Sequence, residues 1–237
     1  MARLPKPMNE WTLQLSNRMI SKIKQNGFMH ITVLGERNHG KTYYALKNMA
    51  LTHYRLNEYS GREDEIKSYN YALKYLVFTI PQFKKIVKEC RKTRTKVPFI
   101  LLDDASSHFD SGLYHRSIYL WQMLNICLDT LKDVTNCCLV TCPFKKTLTS
   151  RLREYDGHDV QLYLDRGFER YGTCINYWRL PTQDRRWAKD FEDHFSCYIP
   201  NEIHERYLDM RNEFTLDAID EMDKLEEKHD KKVKHKK

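Results

Sequence analysis

Apolar residues recur at two different spacings along the chain, and these spacings predict alternating strands and helices. Short apolar runs typical of buried strands occur at residues 31–34, 76–79, 97–102 and 137–141. Apolar residues at helical spacing occur at 10–25, 62–73, 82–92 and 118–131, and in a segment that ends near residue 57. This alternation favours an α/β fold with a mainly parallel sheet, because parallel strands need helical connections that cover both faces.

The last third of the chain carries a weaker pattern. Apolar positions at 143–155 predict a further helix. The segments 159–164 and 173–180 alternate between apolar and polar residues and predict a hairpin at the sheet edge. Residues 181–189 are basic and polar, which predicts a loop, and a long helix at 202–228 leads into a charged tail.

Residues 35–42, Gly-Glu-Arg-Asn-His-Gly-Lys-Thr, fit the phosphate-binding loop (P-loop) motif G-x-x-x-x-G-K-[ST] at every position. They lie between a predicted strand and a predicted helix, which is the context that this loop requires. Backbone amides and the helix N-terminus would bind phosphate, Lys41 would contact the β- and γ-phosphates of ATP, and Thr42 would bind Mg²⁺. The predicted nucleotide-binding residues are Gly35, Glu36, Arg37, Asn38, His39, Gly40, Lys41, Thr42 and Tyr43.

The apolar run at 97–102 is followed directly by Asp103 and Asp104. Ligands bind at the carboxyl ends of the strands in open α/β sheets. We therefore predict that Asp103 binds Mg²⁺ together with Thr42, and that Asp104 orients the attacking water. Thr141 ends a later predicted strand, where it either senses the γ-phosphate or has no role beyond ending the strand.

Arg151 and Arg153 lie in the predicted helix at 143–155. Either arginine could act as a finger on the nucleotide of a neighbouring subunit, which predicts a homo-oligomer with nucleotide between its subunits. A solvated helix face is the alternative explanation for either residue.

The formal net charge of +8 fits a DNA partner, but five of the last seven residues are lysines, and the rest of the chain carries only +3. The basic residues at 91–96 either contact nucleic acid or form a solvated connector. The basic residues at 185–187 either contact nucleic acid together with Trp187 or leave Trp187 packed on the protein surface. Seven cysteines without a C-x-x-C pair predict reduced, buried thiols. Because no apolar run is long enough for a transmembrane helix, we expect a cytoplasmic protein without a membrane partner.

With these motifs the chain resembles the small P-loop ATPases of fuselloviruses, the spindle-shaped viruses of hot-spring archaea, and of related plasmids. The resemblance rests on GERNHGKTYYALK at 35–47, VPFILLDDA at 97–105, and LVTCP at 139–143 with an Arg-x-Arg pair after it. It extends from about residue 9 to residue 227. That family is described as similar to the bacterial initiator DnaA of the AAA+ superfamily, which implies an ATPase of the host-cell cytoplasm with a role in replication or its control.

The expected fold is a three-layer P-loop NTPase sandwich of the α/β class, with a mainly parallel sheet of order 5-1-4-3-2. An N-terminal helix precedes the sandwich, and a C-terminal hairpin and a long charged helix follow it. We divide the chain into an N-terminal arm and helix (1–27), a P-loop ATPase core (28–165), an edge hairpin with a basic loop (166–198), and a C-terminal helix with a basic tail (199–237).

The expected function is the binding and hydrolysis of ATP with Mg²⁺, coupled to replication initiation, helper loading or remodelling on viral or plasmid DNA, with replication or packaging proteins as partners. A genome-packaging or DNA-translocating ATPase would share every motif. A nucleotide kinase would also carry the loop, although the paired Asp103 and Asp104 argue against it. A nucleotide-bound regulator or scaffold that does not hydrolyse ATP is the non-enzymatic alternative.

Overall fold

A computed structural model describes residues 8–155, 157–164, 170–179 and 185–216. The chain divides into two compact units, one from Met1 to Ile199 and one from Pro200 to Lys237. In the second unit, residues 201–216 are helical. The rest of the predicted C-terminal helix and the charged tail lie outside the described residues.

The first unit contains a seven-stranded sheet. Its strands are β1 (Met29–Leu34), β2 (Leu76–Val77), β3 (Val97–Leu102), β4 (Thr135–Cys142), β5 (His158–Leu164), β6 (Arg170–Arg179) and β7 (Arg185–Phe195). They lie in the order β2-β3-β4-β1-β5-β6-β7. Neighbouring strands from β2 to β5 are parallel, whereas β5–β6 and β6–β7 are antiparallel. All parallel strands therefore end at one edge of the sheet.

The observed sheet differs from the predicted order of five strands. Read from β5, its parallel part runs 5-1-4-3-2, but two antiparallel strands continue the sheet beyond β5. The segment predicted as the first strand of an edge hairpin is β5 itself, and it is parallel to β1 in the middle of the sheet. The prediction of a loop at 181–189 is wrong from Arg185 onward, where β7 begins, and residues 181–184 lie outside the described chain.

Strand β7 was missed because its buried face does not look apolar. Phe191, Asp193 and Phe195 are buried at alternating positions, as one face of a strand requires. One of these three is an aspartate, and the residues next to them are charged or polar. The alternation of buried positions is therefore hidden in a segment that is polar by composition.

The helices of the first unit form two packed groups around the sheet. They are α1 (Gln14–Lys24), α2 (Lys41–Leu56), α3 (Arg62–Lys74), α4 (Ile80–Thr93), α5 (Ala105–His108), α6 (Leu113–Arg116), α7 (Ile118–Asp129), α8 (Leu131–Val134) and α9 (Ser150–Arg153). Helices α1 and α3 pack on α2, and helices α7 and α8 pack on α4. Right-handed connections between parallel strands put these two groups on opposite faces of the sheet.

The local sequence at the N-terminus of α4 explains where this helix begins. The Thr79 hydroxyl accepts a hydrogen bond from the Gln82 amide at 3.3 Å, and the Gln82 side chain accepts one from the Thr79 amide at 3.2 Å. This reciprocal capping satisfies two amides that have no partner within the helix. Pro81 in the first turn lacks an amide hydrogen and suits the same position.

The prediction of a continuous helix at 143–155 is wrong. The segment contains a 3₁₀ turn at Lys145–Thr147 and the single-turn helix α9. Between them the backbone pairs with residues 109–111, because the Ser111 amide donates to the Thr147 carbonyl and the Thr149 amide donates to the Phe109 carbonyl, both at 2.9 Å. These bonds replace helical hydrogen bonds, although the apolar side chain of Leu148 is fully buried as the pattern predicted.

All seven cysteines are free thiols, and six of them are buried. Burial raises the pKa of the Cys138 thiol to about 12, so that it stays protonated at neutral pH. Among the residues that the structure describes, none belongs to a helix that is long and apolar enough to cross a membrane.

Candidate nucleotide-binding site

The P-loop connects the end of β1 to the start of α2, as the motif requires. Gly40 precedes α2 with a φ angle of 82°, a left-handed conformation that favours glycine. A Cβ atom at Gly40 would lie 2.3 Å from the Sγ atom of Cys197, which leaves no room for a side chain. Backbone conformation and close approach therefore both require glycine at this position.

The P-loop surrounds the ammonium group of Lys41. Lys41 Nζ donates hydrogen bonds to the carbonyl oxygens of Gly35 and Glu36, both at 2.9 Å. The residues between the two glycines include Glu36, Arg37 and Asn38, which are exposed. Because their side chains face solvent, the backbone of the loop and the Lys41 ammonium are the groups placed to hold phosphate.

Strands β5 and β6 support the P-loop from its outer side. His39 Nδ1 lies 3.2 Å from the Leu162 carbonyl oxygen of β5, and Arg170 Nη2 of β6 donates to the Asn38 carbonyl at 3.3 Å. Neither Arg170 nor Cys197 was identified from the sequence as part of the site. Both lie outside the predicted core of residues 28–165, and no local motif marks either of them.

The carboxylate of Asp103 lies at the centre of a hydrogen-bonded cluster behind the P-loop. Its Oδ1 atom accepts hydrogen bonds from the hydroxyl of Thr42 at 2.8 Å and from the hydroxyl of Thr141 at 2.6 Å. Asp103 is 3% exposed and Thr141 is 1% exposed. Because β1, β3 and β4 are parallel neighbours, their ends bring together residues that are far apart in the chain.

Asp104 is linked to the same cluster through its backbone. Its amide donates to the Thr141 hydroxyl at 2.8 Å, and its φ angle of 48° is left-handed. Thr141 therefore accepts from the backbone of one predicted site aspartate while it donates to the carboxylate of the other. This arrangement fixes the backbone of Asp104 at the end of β3, beside the carboxylate of Asp103.

The oxygen atoms of this cluster fit Mg²⁺. Thr42 and Asp103 offer a hydroxyl and a carboxylate, which are the hard ligands that this ion prefers. Within the described part of the chain, no group of three or more histidines, cysteines or acidic residues could hold a metal by itself. Mg²⁺ does not need such a group, because it is commonly held by one or two protein oxygens together with substrate phosphates and water.

The structure places Arg151 and Arg153 on α9, bonded to residues outside the P-loop. Arg151 forms an ion pair with Asp129 at the end of α7, and Arg153 Nη1 donates to the Lys146 carbonyl at 3.4 Å. About half of each side chain in the Arg151–Asp129 pair is exposed. Such a surface pair contributes at most about 1 kcal/mol and holds the arginine only weakly.

No protein-family model matches the chain. It is similar to the uncharacterized protein B-251 of Sulfolobus spindle-shape virus 1, with 24% identity over 233 residues that cover 93% of this chain and 88% of that protein. Among solved structures, it is similar to the N-terminal domain of zonular occludens toxin from Neisseria meningitidis, with 14% identity, 70% of this chain and 95% of that chain covered, and a TM-score of 0.39. It is also similar to the KaiC-like protein PH0186 from Pyrococcus horikoshii OT3, with 11% identity, 69% and 89% covered, and a TM-score of 0.35. These TM-scores are too low to define a shared fold.

Proposed function

We propose that the chain binds ATP with Mg²⁺ at the P-loop and hydrolyses it. The observation that carries this proposal is the 2.8 Å hydrogen bond between the Thr42 hydroxyl and the Asp103 carboxylate. It joins the residue that follows the P-loop lysine to the acidic end of β3, which is separated from β1 by β4. A glycine turn in front of an ordinary helix would have no reason to bring these two groups together.

Each residue of the site has a distinct role in this proposal. The P-loop amides and Lys41 bind the phosphates, while Thr42 and Asp103 hold Mg²⁺, which neutralises charge on the phosphate oxygens. Asp104 orients the attacking water, because it lies at the same strand end, where the Thr141 hydroxyl holds its backbone amide. Thr141 keeps both aspartates in position through its hydrogen bonds to Asp103 and to the Asp104 amide.

The setting we propose is viral or plasmid DNA, in a DnaA-like ATPase of the AAA+ type that assembles with nucleotide between its subunits. The similarity to a viral protein over nearly the whole chain and the net charge of +8 support this setting. Arg151 or Arg153 would reach the nucleotide of a neighbouring subunit, since the surface ion pair of Arg151 is easily exchanged.

The test is titration with ATP, with and without Mg²⁺, followed by measurement of phosphate release with and without DNA. Wild-type protein should bind MgATP, and Lys41→Ala should lose most of that affinity while its unfolding midpoint stays unchanged. Asp103→Asn should abolish the part of the affinity that depends on Mg²⁺. A folded Lys41→Ala protein that binds ATP as wild type does would refute the proposal.

The same measurements separate the competing functions. ATP binding without turnover would favour a nucleotide-bound regulator or scaffold. Turnover that rises with the length of duplex DNA would favour a packaging or translocating ATPase. A plateau with short DNA fragments would favour loading or remodelling at a replication origin.

A further inference from the structure

A cavity of about 210 Å³ lies beside α2 in the first unit. Its walls come from the segment before α1, from α2 and from the residues at and after the end of β7. The side chains of Trp11, Lys47, Ser196 and Tyr198 are among those that line it. None of them belongs to the P-loop motif or to the cluster around Asp103.

Lys47 is the unusual residue of this cavity. It is 4% exposed, its Nζ atom donates to the Ser196 hydroxyl at 3.2 Å, and the same atom lies 4.4 Å from the centre of the Trp11 ring. Burial lowers the pKa of Lys47 to about 8, and Cys197 and Glu65 offset the shift only in part. A cation that is buried at such a cost in a cavity wall is a common feature of binding sites.

The cavity adjoins the P-loop through one short segment. Ser196, which contacts Lys47, is followed by Cys197, whose Sγ atom lies against Gly40 of the P-loop. The ring of Phe195 packs on the ring of Tyr44, with 4.8 Å between their centres. Residues 195–197 therefore follow the first turns of α2 from the P-loop to the cavity.

The distance between the P-loop and the cavity suits one nucleotide. Lys47 comes six residues after Lys41, which is a rise of about 9 Å along the helix. A ribose with one phosphate has a comparable reach. A ligand whose phosphates are held by the P-loop could therefore place its base in the cavity.

The chemistry of the walls suits a planar heterocycle. Trp11 and Tyr198 offer aromatic faces, on which a base of any type can stack. Lys47 and Ser196 offer hydrogen-bond donors to ring nitrogens or carbonyl oxygens. A volume of about 210 Å³ fits one ring system and is too small for a whole nucleotide.

We propose that this cavity binds the base of the nucleotide whose phosphates the P-loop holds, with Trp11 stacking on the base and Lys47 donating a hydrogen bond to it. This inference rests on the proposed function. It adds a specificity site formed by the N-terminal segment and by the residues that follow β7.

The experiment compares two ligands by isothermal titration in the presence of Mg²⁺: ATP, and inorganic tripolyphosphate, which has the phosphates but no base. Trp11→Ala should weaken ATP binding about 5- to 150-fold, which is the effect of removing one stacking contact. Lys47→Met keeps the length of the side chain and should weaken ATP binding about 10-fold or more. Tripolyphosphate should bind both variants as it binds wild type.

The control is Lys88→Met, which removes an exposed lysine of α4 and therefore reports the effect of losing one positive charge. It should leave the affinity for both ligands unchanged. Thermal unfolding of each variant shows whether it is folded, and Lys47→Met tests the cavity independently if Trp11→Ala does not fold.

Three results would overturn the inference. Unchanged ATP affinity in both cavity variants would show that the base lies elsewhere. Equal losses for ATP and tripolyphosphate would assign the cavity residues to the support of the P-loop. Equal affinity of wild type for the two ligands would show that no base site exists while leaving the P-loop proposal intact, whereas wild type that binds neither ligand would refute the proposed function itself.

Discussion

Asp193 of β7 offers the sharpest test of how the C-terminal strands are joined to the P-loop helix. Its carboxylate is 2% exposed and accepts three hydrogen bonds. The amides of Gln14 and Leu15, in the first turn of α1, donate at 2.6 Å and 3.2 Å, and the Tyr44 hydroxyl of α2 donates at 2.6 Å. One buried carboxylate therefore caps one helix and binds the side chain of another.

The cost of Asp193→Ala follows from these contacts. Loss of a helix cap costs about 0.5–2 kcal/mol. Removal of the acceptor from the fully buried Tyr44 hydroxyl costs about 1–3 kcal/mol more. We expect the free energy of unfolding to fall by roughly 1.5–5 kcal/mol in total. Asp193→Asn should cost less, because its amide oxygen keeps one acceptor at the same place.

Urea unfolding at neutral pH measures these changes, and a double-mutant cycle with Tyr44→Phe isolates the hydrogen bond to the phenol. The two substitutions should be non-additive by about 1 kcal/mol or more, because either one alone breaks the same contact. Glu192→Ala is the matched control on the same strand, where an exposed ion pair with Lys189 should contribute less than about 1 kcal/mol. A loss below about 0.5 kcal/mol for Asp193→Ala, or full additivity with Tyr44→Phe, would refute the reasoning.

Three further outcomes are expected. Asp104→Asn should bind MgATP normally and release phosphate about 10²- to 10⁴-fold more slowly in a turnover assay, and a normal rate would show that another group orients the water. Arg151→Ala protein mixed with Lys41→Ala protein should regain ATPase activity that neither parent has, and a mixed oligomer without activity would rule out Arg151 as a finger in trans. Lys47→Met should be more stable than wild type at pH 7 by up to roughly 3 kcal/mol in urea unfolding, since the folded pKa is about 8 against an ordinary value of 10.5. This difference should shrink as the pH rises from 8 to 10.5, where wild-type Lys47 becomes neutral in both states, and a difference that is constant with pH would contradict it.

The candidate phosphate site could be predicted from the sequence because its signals are local. The P-loop residues are consecutive, and Asp103 follows its apolar strand directly. The rule that parallel strands end at one edge then brings Asp103 to Thr42 across 61 positions, and the observed hydrogen bond agrees with that expectation. The same rule places Thr141 at this edge, and its predicted role towards the γ-phosphate stays a prediction. Its bond to the Asp104 amide could not be foreseen without the backbone conformation of Asp104.

The parts that could not be predicted depend on contacts between distant segments. The helix predicted at 143–155 had the correct apolar spacing, but the bonds from Ser111 and Thr149 draw its middle into an extended pairing. Strand β7 has a buried face that includes Asp193, whose partners lie in α1 and α2. Lys47 lies three residues after Tyr44 and four before Leu51, and all three residues are buried on α2. Residues at this helical spacing share one face, so the apolar neighbours were a signal that Lys47 faces the interior.

Most of these distant contacts join the residues after β5 to the P-loop or to the helix that follows it. Arg170 donates to the P-loop backbone, Cys197 lies against Gly40, and Asp193 binds Tyr44 one turn into α2. Residues 170–199 and the P-loop also belong to the same compact unit. Because a P-loop binds phosphate through backbone amides, its affinity depends on a backbone held in one conformation. If the proposed function holds, the added strands contribute to nucleotide binding by holding that backbone, without any contact between their side chains and the phosphates.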